Sequence, residues 1–515
     1  MRWYLPSRKS VMAENRVDIS KQPLRLKENS VAIKSALKWI IPAVIAALAI
    51  PVGAGYASAG NIVLTFIILF IARKNPLTFY FSGLMLLLLS LYIPVGYNFG
   101  RISYPYVVSA LQTNPGESLE FLQGVSFTAW LLFVMAITSL LLFIIYGGDF
   151  GKKHQAIYFT LFVMVNMNSF PNRMATQVIT SVYKASLELK KLKASNSITD
   201  DFPILSHSGK YKNVIVIIGE SVARDYLSVY GYQHNTTPWL NTAPGLFFTD
   251  YISTAPNTYL SLPRTLALSD GVKTQENNSI VALANKAGFN TFWVSNQGYL
   301  GTFDTPATLI ASRVNHQVFF KKGDYEENDT DDMTLLEHLR SIVSSNHSTD
   351  NAVFLHMIGS HPDTCSRLNG YPVNLHISQQ ESFNCYLATL QKLDTFIQRA
   401  HDILARSGEP YALVYFSDHG MTVDDSERPV RHGNDARQNY NIPFFILTSD
   451  NHQHLIDDTP ISARHFMSLF SQLTGINSEL IPARSPQQIA DQQRTVFNGV
   501  GLIPYNELKN NPIID

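Results

Sequence analysis

Acidic residues and a histidine follow two of the most apolar stretches in the sequence. Glu220 comes directly after the β-branched run 213–219, and Asp418 and His419 come directly after the apolar run 412–417. Such runs are typical of strands buried on both faces of a parallel sheet, which binds ligands beyond the carboxyl ends of its strands. Each group alone could be a helix cap or a loop histidine. Together, two carboxylates and an imidazole predict a zinc site.

A metal site that activates a nucleophile would need a hydroxyl group nearby. The segment 253–263 offers three candidates, which are Thr254, Thr258 and Ser261. A hydroxyl bound to zinc would lose its proton near neutral pH, as zinc-bound water does. The residues alone leave the choice among the three open, because any of them could instead cap a helix that begins near Tyr259.

The composition indicates a membrane region rather than a nucleic-acid partner. The 515 residues include 40 Lys and Arg against 40 Asp and Glu, and hydrophobic residues make up 46% and crowd into the first third. We predict a transmembrane domain at 34–171 with five helices, at 37–56, 61–72, 77–95, 126–146 and 156–167. The polar residues 1–33 begin too far ahead of the first apolar run for a cleaved signal, so we expect a cytoplasmic tail.

Basic residues flank alternate ends of these apolar segments. They lie before the first, between the second and third, and between the fourth and fifth: Lys34, Lys38, Arg73, Lys74, Lys152 and Lys153. Because basic loops stay in the cytoplasm, five spans place everything after about residue 171 outside the inner membrane. We therefore expect a multi-pass inner-membrane protein with a periplasmic domain. A basic amphipathic helix and linker at 172–210 would lie on the membrane surface and lead to it.

Strand and helix patterns alternate from residue 211 onward, which predicts an α/β domain with a doubly wound sheet at 211–515. The further strands are predicted at 291–295, 353–358 and 443–448. Helices are predicted at 279–287, 333–343, 380–404 and 463–473. The region is therefore expected to be one catalytic domain.

Two cysteines, Cys365 and Cys385, lie close together in this region. They could be two buried thiols. A periplasmic location favours a disulfide between them, because that compartment is oxidising. Such a bond would tie the loop after the strand at 353–358 to the following helix.

Several short motifs follow one another in the C-terminal region. They are Gly-Glu-Ser-Val-Ala-Arg at 219–224, Gly-Tyr at 231–232, Thr-Pro at 237–238, Thr-Tyr-Leu-Ser-Leu-Pro at 258–263, His-Met-Ile-Gly-Ser-His at 356–361 and Ser-Asp-His-Gly at 417–420. In this order they resemble the phosphoethanolamine transferases of Gram-negative envelopes, members of the alkaline phosphatase and sulfatase superfamily. The five-span anchor resembles that family's architecture too. The resemblance implies an alkaline-phosphatase-like sheet domain.

The resemblance also implies a role for each matching position. Glu220, Asp418 and His419 stand where family members bind Zn²⁺, and Thr258 stands at the zinc-bound nucleophile, three residues before the Ser-x-Pro. His361 and His432 are implied as further catalytic residues, because the family has histidines there for a second metal or the phosphoryl group. Four positions are implied in substrate binding, two in the loop at 96–125 and two near a position that is lysine in some relatives: Thr113, Glu117, Asn296 and Gln297.

The implied reaction is transfer of phosphoethanolamine from phosphatidylethanolamine to lipid A, a lipopolysaccharide core sugar or a periplasmic glucan. It would pass through a covalent intermediate on Thr258. We expect the protein to be a monomer and to have no nucleic-acid partner. A phosphoglycerol transferase shares this nucleophile and metal set and stays open. A sulfatase needs an x-Pro-x-Arg pattern, but Arg264 follows Pro263 directly. An inactive membrane scaffold would have little reason to retain every metal position.

Overall fold

The computed structural model describes residues 22–102, 107, 122, 125–195, 198–203, 205–298, 306–321, 330–345, 348–423, 430, 431, 433 and 435–514. The chain divides into two compact units. The first unit consists of apolar helices from the first third of the chain. The second contains nearly all of the remainder, including every strand in the described residues.

Helices make up the first unit and also the chain that follows it as far as Ser195. In the described part of the first 195 residues the helices are α1 (Gln22–Gly53), α2 (Ala59–Ala72), α3 (Pro76–Ser90), α4 (Ile93–Phe99), α5 (Phe127–Tyr146), α6 (Gln155–Met167) and α7 (Phe170–Ser195). α7 matches the predicted amphipathic helix, whereas α1 begins inside the predicted polar tail. The predicted third span, 77–95, is split between α3 and α4. Pro94 lies in the first turn of α4, where a proline is tolerated but disfavours helix in the residue before it.

Two of these helices have membrane-spanning length and composition, over Ile33–Gly53 and Phe127–Tyr146. The apolar helices α2, α3 and α6 have 14, 15 and 13 residues. At a rise of about 1.5 Å per residue each would cover only about 20 Å of a hydrocarbon core near 30 Å thick. The prediction of five transmembrane helices is therefore not confirmed and becomes part of the proposal below.

Two polar loops of the first unit lie against each other. Arg73 Nε donates to the Gly147 carbonyl at 2.8 Å, and the Asp149 amide donates to the Arg73 carbonyl at 2.9 Å. The Lys74 ammonium also pairs with the Asp149 carboxylate. The loop between α2 and α3 and the loop between α5 and α6 are thus at one end of these helices.

An eight-stranded mixed sheet forms the centre of the second unit, in the order β13-β2-β12-β9-β1-β8-β6-β7. Its strands are β1 (Asn213–Gly219), β2 (Gly245–Phe248), β6 (Asn290–Gly298), β7 (His316–Lys321), β8 (Asn351–His356), β9 (Tyr411–Ser417), β12 (Phe444–Thr448) and β13 (His454–Asp457). Shorter strands form two-stranded pairs: β3 (Tyr251–Ile252), β4 (Ala267–Ser269), β5 (Thr274–Ser279), β10 (Thr422–Val423), β11 (Val430–Arg431), β14 (Ile461–Ser462), β15 (Thr495–Phe497) and β16 (Leu502–Pro504).

Helices cover both faces of this sheet. They are α8 (Thr258–Leu266), α9 (Ile280–Lys286), α10 (Pro306–Ala311), α11 (Leu335–Ser344), α12 (Glu381–Ser407) and α13 (Phe466–Thr474). Alternate residues of β1 point to opposite faces, so Val216 packs with α9 and α13 while Ile217 packs with α11 and α12. All seven residues of β1 are buried, as the unbroken apolar run predicts.

The predicted strands and helices of this unit are present, but one strand runs the other way. β9, β1, β8, β6 and β7 are parallel, whereas β12 is antiparallel to β9 and β2. The chain between β9 and β12 contains no α-helix among its described residues, and a parallel pairing would need a crossover of that kind. The predicted disulfide between Cys365 and Cys385 is confirmed and joins the loop after β8 to α12.

Candidate metal and catalytic site

Neighbouring parallel strands bring the two carboxylates of the site together. β1 and β9 pair in register as far as Gly219 and Ser417, so Glu220 and Asp418 are the first residues beyond adjacent strand ends. The Asp418 amide donates to the Gly219 carbonyl at 3.0 Å, which continues the pairing by one residue. Both carboxylates are 1% exposed. This adjacency follows directly from two apolar strands that lie side by side and end at the same edge.

His419 lies against both carboxylates. Its Nε2 is 3.3 Å from Glu220 Oε1 and 3.6 Å from Asp418 Oδ2. Its Nδ1 donates to the Gly420 carbonyl at 2.7 Å, because a carbonyl oxygen can only accept. A proton held on Nδ1 directs Nε2 toward the carboxylates, where a metal ion would take the place of the second proton, which is the arrangement of a metal-binding imidazole.

Thr258 brings a hydroxyl to the same point. It is the first residue of α8, and its Oγ1 is 2.9 Å from Glu220 Oε2 and 2.6 Å from Asp418 Oδ2. Asn257 caps the helix by accepting a hydrogen bond from the Leu260 amide at 3.0 Å. The amino-terminal end of a helix carries partial positive charge, so α8 presents its favourable end for an anionic phosphoryl group beside this hydroxyl.

The other two candidate hydroxyls are engaged elsewhere. Ser261 Oγ donates to the Asp418 carbonyl at 2.5 Å, and Ser253 Oγ reaches the same carbonyl at 2.5 Å. Thr254 Oγ1 donates to the Ser261 carbonyl at 3.0 Å. These contacts fasten the start of α8 to the backbone at Asp418. Of the three candidates, Thr258 is the one whose hydroxyl meets the carboxylates.

Burial and mutual repulsion set the protonation of the cluster. Burial raises the pKa of Asp418 well above its usual range, and the nearby charge of Glu220 raises it further. Burial also acts to raise the pKa of Glu220, but the charge and hydrogen bond of His419, with smaller contributions from His361 and Asp418, together outweigh it and hold that pKa well below its usual range. Burial acts to lower the pKa of His419, whereas Asp418 and Glu220 together raise it to about 9. Two buried carboxylates in contact therefore demand a positive partner.

The donor set fits a divalent metal ion. One ligand atom each from Glu220, Asp418 and His419 lie within 4.8 Å of one another, and all three residues are buried. Two carboxylate oxygens and one imidazole nitrogen match the ligands that zinc accepts in proteins. A cation would also remove the repulsion between the carboxylates. The Thr258 hydroxyl oxygen is a fourth donor atom at the same place.

Of the two further histidines that the sequence predicts as catalytic, one is in the described residues. His361 lies on the turn after β8, the strand that pairs with β1 in the sheet. Its charge is one of the influences that lower the pKa of Glu220. Its Nδ1 is 2.5 Å from the Pro362 carbonyl. His432 lies outside the described residues, as do Thr113 and Glu117.

Asn296 and Gln297, predicted to bind substrate, lie at the end of β6, two strands from β1. Asn296 is fully buried, and its amide nitrogen donates to Asp332 at 2.9 Å and to the Thr330 carbonyl at 2.7 Å. Gln297 donates to the Met357 carbonyl at 2.9 Å. Both side chains are thus bound to the protein, and their role toward a substrate stays a prediction.

Ser221 belongs to the site but was not singled out by the sequence. Its backbone has a positive φ of 61°, its Oγ donates to Glu220 Oε1 at 2.6 Å, and its amide lies 3.2 Å from Asp418 Oδ1. A serine directly after a strand-end acid was the available signal. These two hydrogen bonds hold both carboxylates in a fixed orientation, as partners of metal-ligand side chains do.

Comparison with known proteins agrees with this fold. The pattern of the Sulfatase family matches residues 212–476. The chain is 34% identical over 318 residues to the phosphoethanolamine transferase OpgE of Escherichia coli K12, an alignment that covers 61% of this chain and 60% of that protein. It is 30% identical over 418 residues to a putative phosphoethanolamine transferase of Haemophilus influenzae, covering 77% of this chain and 86% of that protein.

Two solved structures share the fold. The integral membrane protein lipooligosaccharide phosphoethanolamine transferase A of Neisseria meningitidis superposes with a TM-score of 0.63 at 17% identity, over 88% of this chain and 98% of that one. The C-terminal periplasmic domain of EptC from Escherichia coli, solved in complex with Zn, gives 0.51 at 22% identity over 60% and 97%. The chain therefore belongs to the sulfatase family of the alkaline phosphatase superfamily, and within it to the phosphoethanolamine transferases.

Proposed function

We propose that this protein transfers phosphoethanolamine from phosphatidylethanolamine to an envelope glycolipid or glycan, through a covalent intermediate on Thr258. The observation that carries the proposal is the position of the Thr258 hydroxyl, within hydrogen-bond distance of Glu220 and Asp418 at the start of α8. Membership in the phosphoethanolamine transferase family supports the choice of transferred group.

Zinc is the proposed cofactor, held by Glu220, Asp418, His419 and Thr258. The buried donor set supports it, as does the zinc complex of the related EptC domain. When bound, zinc would polarise the phosphoryl oxygens and lower the pKa of the Thr258 hydroxyl. The carboxylates keep that hydroxyl in place, because its oxygen lies between them.

In the first half-reaction the Thr258 oxygen attacks the phosphorus of phosphatidylethanolamine. Its proton passes to the Asp418 carboxylate, whose Oδ2 is 2.6 Å away. The bond from phosphorus to the diacylglycerol oxygen breaks, and a histidine, His361 or His432, protonates that leaving oxygen. Diacylglycerol departs and phosphoethanolamine stays on Thr258.

In the second half-reaction an acceptor hydroxyl attacks the same phosphorus and gives its proton to the histidine that lost one in the first half-reaction. The bond from phosphorus to the Thr258 oxygen breaks, Thr258 regains its proton, and the phosphoethanolamine is left on the acceptor. The partial positive charge at the start of α8 stabilises the anionic phosphoryl group in both halves. We assign the donor head group to Thr113, Glu117, Asn296 and Gln297, as the family resemblance implies.

We place the catalytic domain, residues 211–515, in the periplasm and the helices of residues 34–171 in the inner membrane as five spans. The contact between the loops at Arg73 and Asp149 supports this arrangement, because it keeps two basic loops at one end. Apolar side chains that are exposed on the short helices, such as Leu84 and Met164, would contact lipid chains in this arrangement. We propose that the protein acts as a monomer.

The test uses the purified full-length protein with vesicles that contain fluorescent phosphatidylethanolamine or phosphatidylglycerol of the same acyl chains. We expect fluorescent diacylglycerol from phosphatidylethanolamine alone, and a phosphoethanolamine adduct on the peptide that contains Thr258 when no acceptor is present. Release from phosphatidylglycerol instead would make the protein a phosphoglycerol transferase. Release from neither lipid, with zinc bound, would indicate an inactive scaffold.

A further inference from the structure

The turn that follows β8, residues 357–361, packs directly against the backbone of the metal-ligand candidate Glu220. We call it the β8 turn. The Ser360 amide donates to the Glu220 carbonyl at 3.0 Å, and Gly359 has a positive φ of 53°. A Cβ atom on Gly359 would lie 2.7 Å from the Glu220 carbonyl oxygen and 3.0 Å from its nitrogen. The turn therefore touches the backbone of Glu220 so closely that only glycine fits.

One buried carboxylate holds this turn. Asp332 is 6% exposed and lies in the short 3₁₀ helix Asp332–Thr334. Its Oδ1 accepts from the Ile358 amide and its Oδ2 from the Gly359 amide, both at 2.9 Å. Two consecutive amides on two oxygens of one carboxylate fix the orientation of the peptide between them. Hydrogen bonds to a charged acceptor are about twice as strong as neutral ones, so this is a firm anchor.

The end of β6 completes the support. Asn296 donates to Asp332 Oδ1 at 2.9 Å, and Gln297 donates to the Met357 carbonyl at 2.9 Å. Both amide hydrogens of Asn296 are used, since its nitrogen also donates to the Thr330 carbonyl. These contacts make Asn296 and Gln297 neighbours of the turn in addition to any role toward the substrate.

We propose that Asp332 is a positioning residue of this enzyme: by holding the β8 turn it sets Glu220 and His361 in place. The proposal rests on the proposed transferase function for His361, but its effect on Glu220 concerns metal binding alone. A displaced turn would withdraw the Ser360 amide from the Glu220 carbonyl and move His361 relative to the metal ligands. Asp332 is not one of the three clustered metal-ligand candidates, Glu220, Asp418 and His419.

The test compares Asp332→Asn with the wild type as full-length protein in detergent. An asparagine offers one acceptor oxygen and an NH₂ group, so it cannot accept from both amides. We expect zinc affinity, measured by competition with a chromophoric chelator, to fall about 10- to 100-fold, as for other residues that orient a ligand. We expect kcat with fluorescent phosphatidylethanolamine to fall while KM stays near the wild-type value.

The matched control is Asp331→Asn, which removes the same charge one residue away. Asp331 caps the Met333 amide and pairs with Lys392 at 3.0 Å, and its described contacts do not include the β8 turn. Asparagine retains the capping oxygen. We expect zinc affinity and kcat of this control to match the wild type.

A second variant, Gln297→Met, keeps the side-chain length and removes the donor to the Met357 carbonyl. It tests the positioning role if Asp332→Asn shows no thermal unfolding transition and therefore is not folded. A fall in zinc affinity and kcat supports positioning, whereas a change in KM alone would overturn it in favour of direct substrate contact. Unchanged zinc affinity in folded Asp332→Asn would also overturn it. Wild-type protein that binds zinc but transfers nothing rejects the proposed function, while the affinity comparison still tests Asp332.

Discussion

Asp332 on the one hand, and the pair Glu220 and Asp418 on the other, are buried acids near the same edge of the sheet. Their carboxylates have different kinds of hydrogen-bond partner. Asp332 accepts from two backbone amides and one side-chain amide, all within 2.9 Å. Glu220 and Asp418 instead face each other, with Thr258 and His419 against both. Burial raises the pKa of Asp332, but its hydrogen bonds and Lys392 act against the rise. For Asp418, the second largest influence is Glu220, which reinforces the rise.

The difference indicates which acid is structural and which is suited to chemistry. A carboxylate whose oxygens accept from the protein's own amides needs no further partner. A pair of carboxylates that repel each other needs a proton or a cation, and this pair lies beside the half-buried Thr258 hydroxyl. The two buried histidines repeat the contrast: the pKa of His419, beside two carboxylates, is raised to about 9, whereas that of His356 is lowered to about 4.

The largest effect is expected at the hydroxyl between the paired carboxylates. Thr258→Ala should lower diacylglycerol release from fluorescent phosphatidylethanolamine by about 10³-fold or more, because both half-reactions pass through that oxygen. Thr258→Ser keeps the hydroxyl and should retain measurable activity. Intact-protein mass spectrometry should find no adduct on Thr258→Ala.

The matched control for that variant is Thr254→Ala, which removes a hydroxyl engaged with the Ser261 carbonyl. It should leave a readily measured rate, since Thr254 acts through packing at the start of α8. An adduct on Thr254 or Ser261, or an unimpaired Thr258→Ala enzyme, would contradict the assignment of Thr258 as the nucleophile.

Removing the disulfide that follows the β8 turn in the chain should have a smaller effect, and on stability. The disulfide between Cys365 and Cys385 closes a loop with a sequence separation of 20 residues. Replacing both cysteines with serine should lower the free energy of unfolding by about 3 kcal/mol, measured by denaturant titration. Zinc affinity should change far less than in Asp332→Asn, because the bond lies beyond the turn. Two free thiols in unreduced wild-type protein would contradict the assignment.

The smallest effect concerns His356, the last residue of β8. Burial lowers its pKa to about 4, and the charge of Glu220 only partly offsets this. The unfolded chain therefore binds a proton that the folded chain does not, so stability is full above pH 6.5 and is lost as pH falls through 4. Between pH 7 and pH 4.5 the wild type should lose about 2 to 3 kcal/mol more than His356→Leu. Equal losses in denaturant titrations would show that His356 does not titrate in this way.

The sequence alone determined the centre of the site. The apolar runs that form β1 and β9 are local signals, and a strand buried on both faces has few alternatives to a parallel sheet. Once both are parallel neighbours, Glu220 and Asp418 must be close, because their strands end at the same edge. The disulfide was also predictable, since two cysteines in a domain expected to be periplasmic allow one pairing.

Tertiary structure decided what depends on contacts between distant segments. Thr258 is distinguished from Ser261 and Thr254 by bonds to residues 38 and 160 positions away, which the pattern at 253–263 does not contain. Asp332 meets its amide partners 26 and 27 residues later, and no local motif marks it. The direction of β12 likewise depends on how the chain returns from β9. Such features arise from packing, whereas the strand-end acids arise from the chain's own hydrophobic pattern.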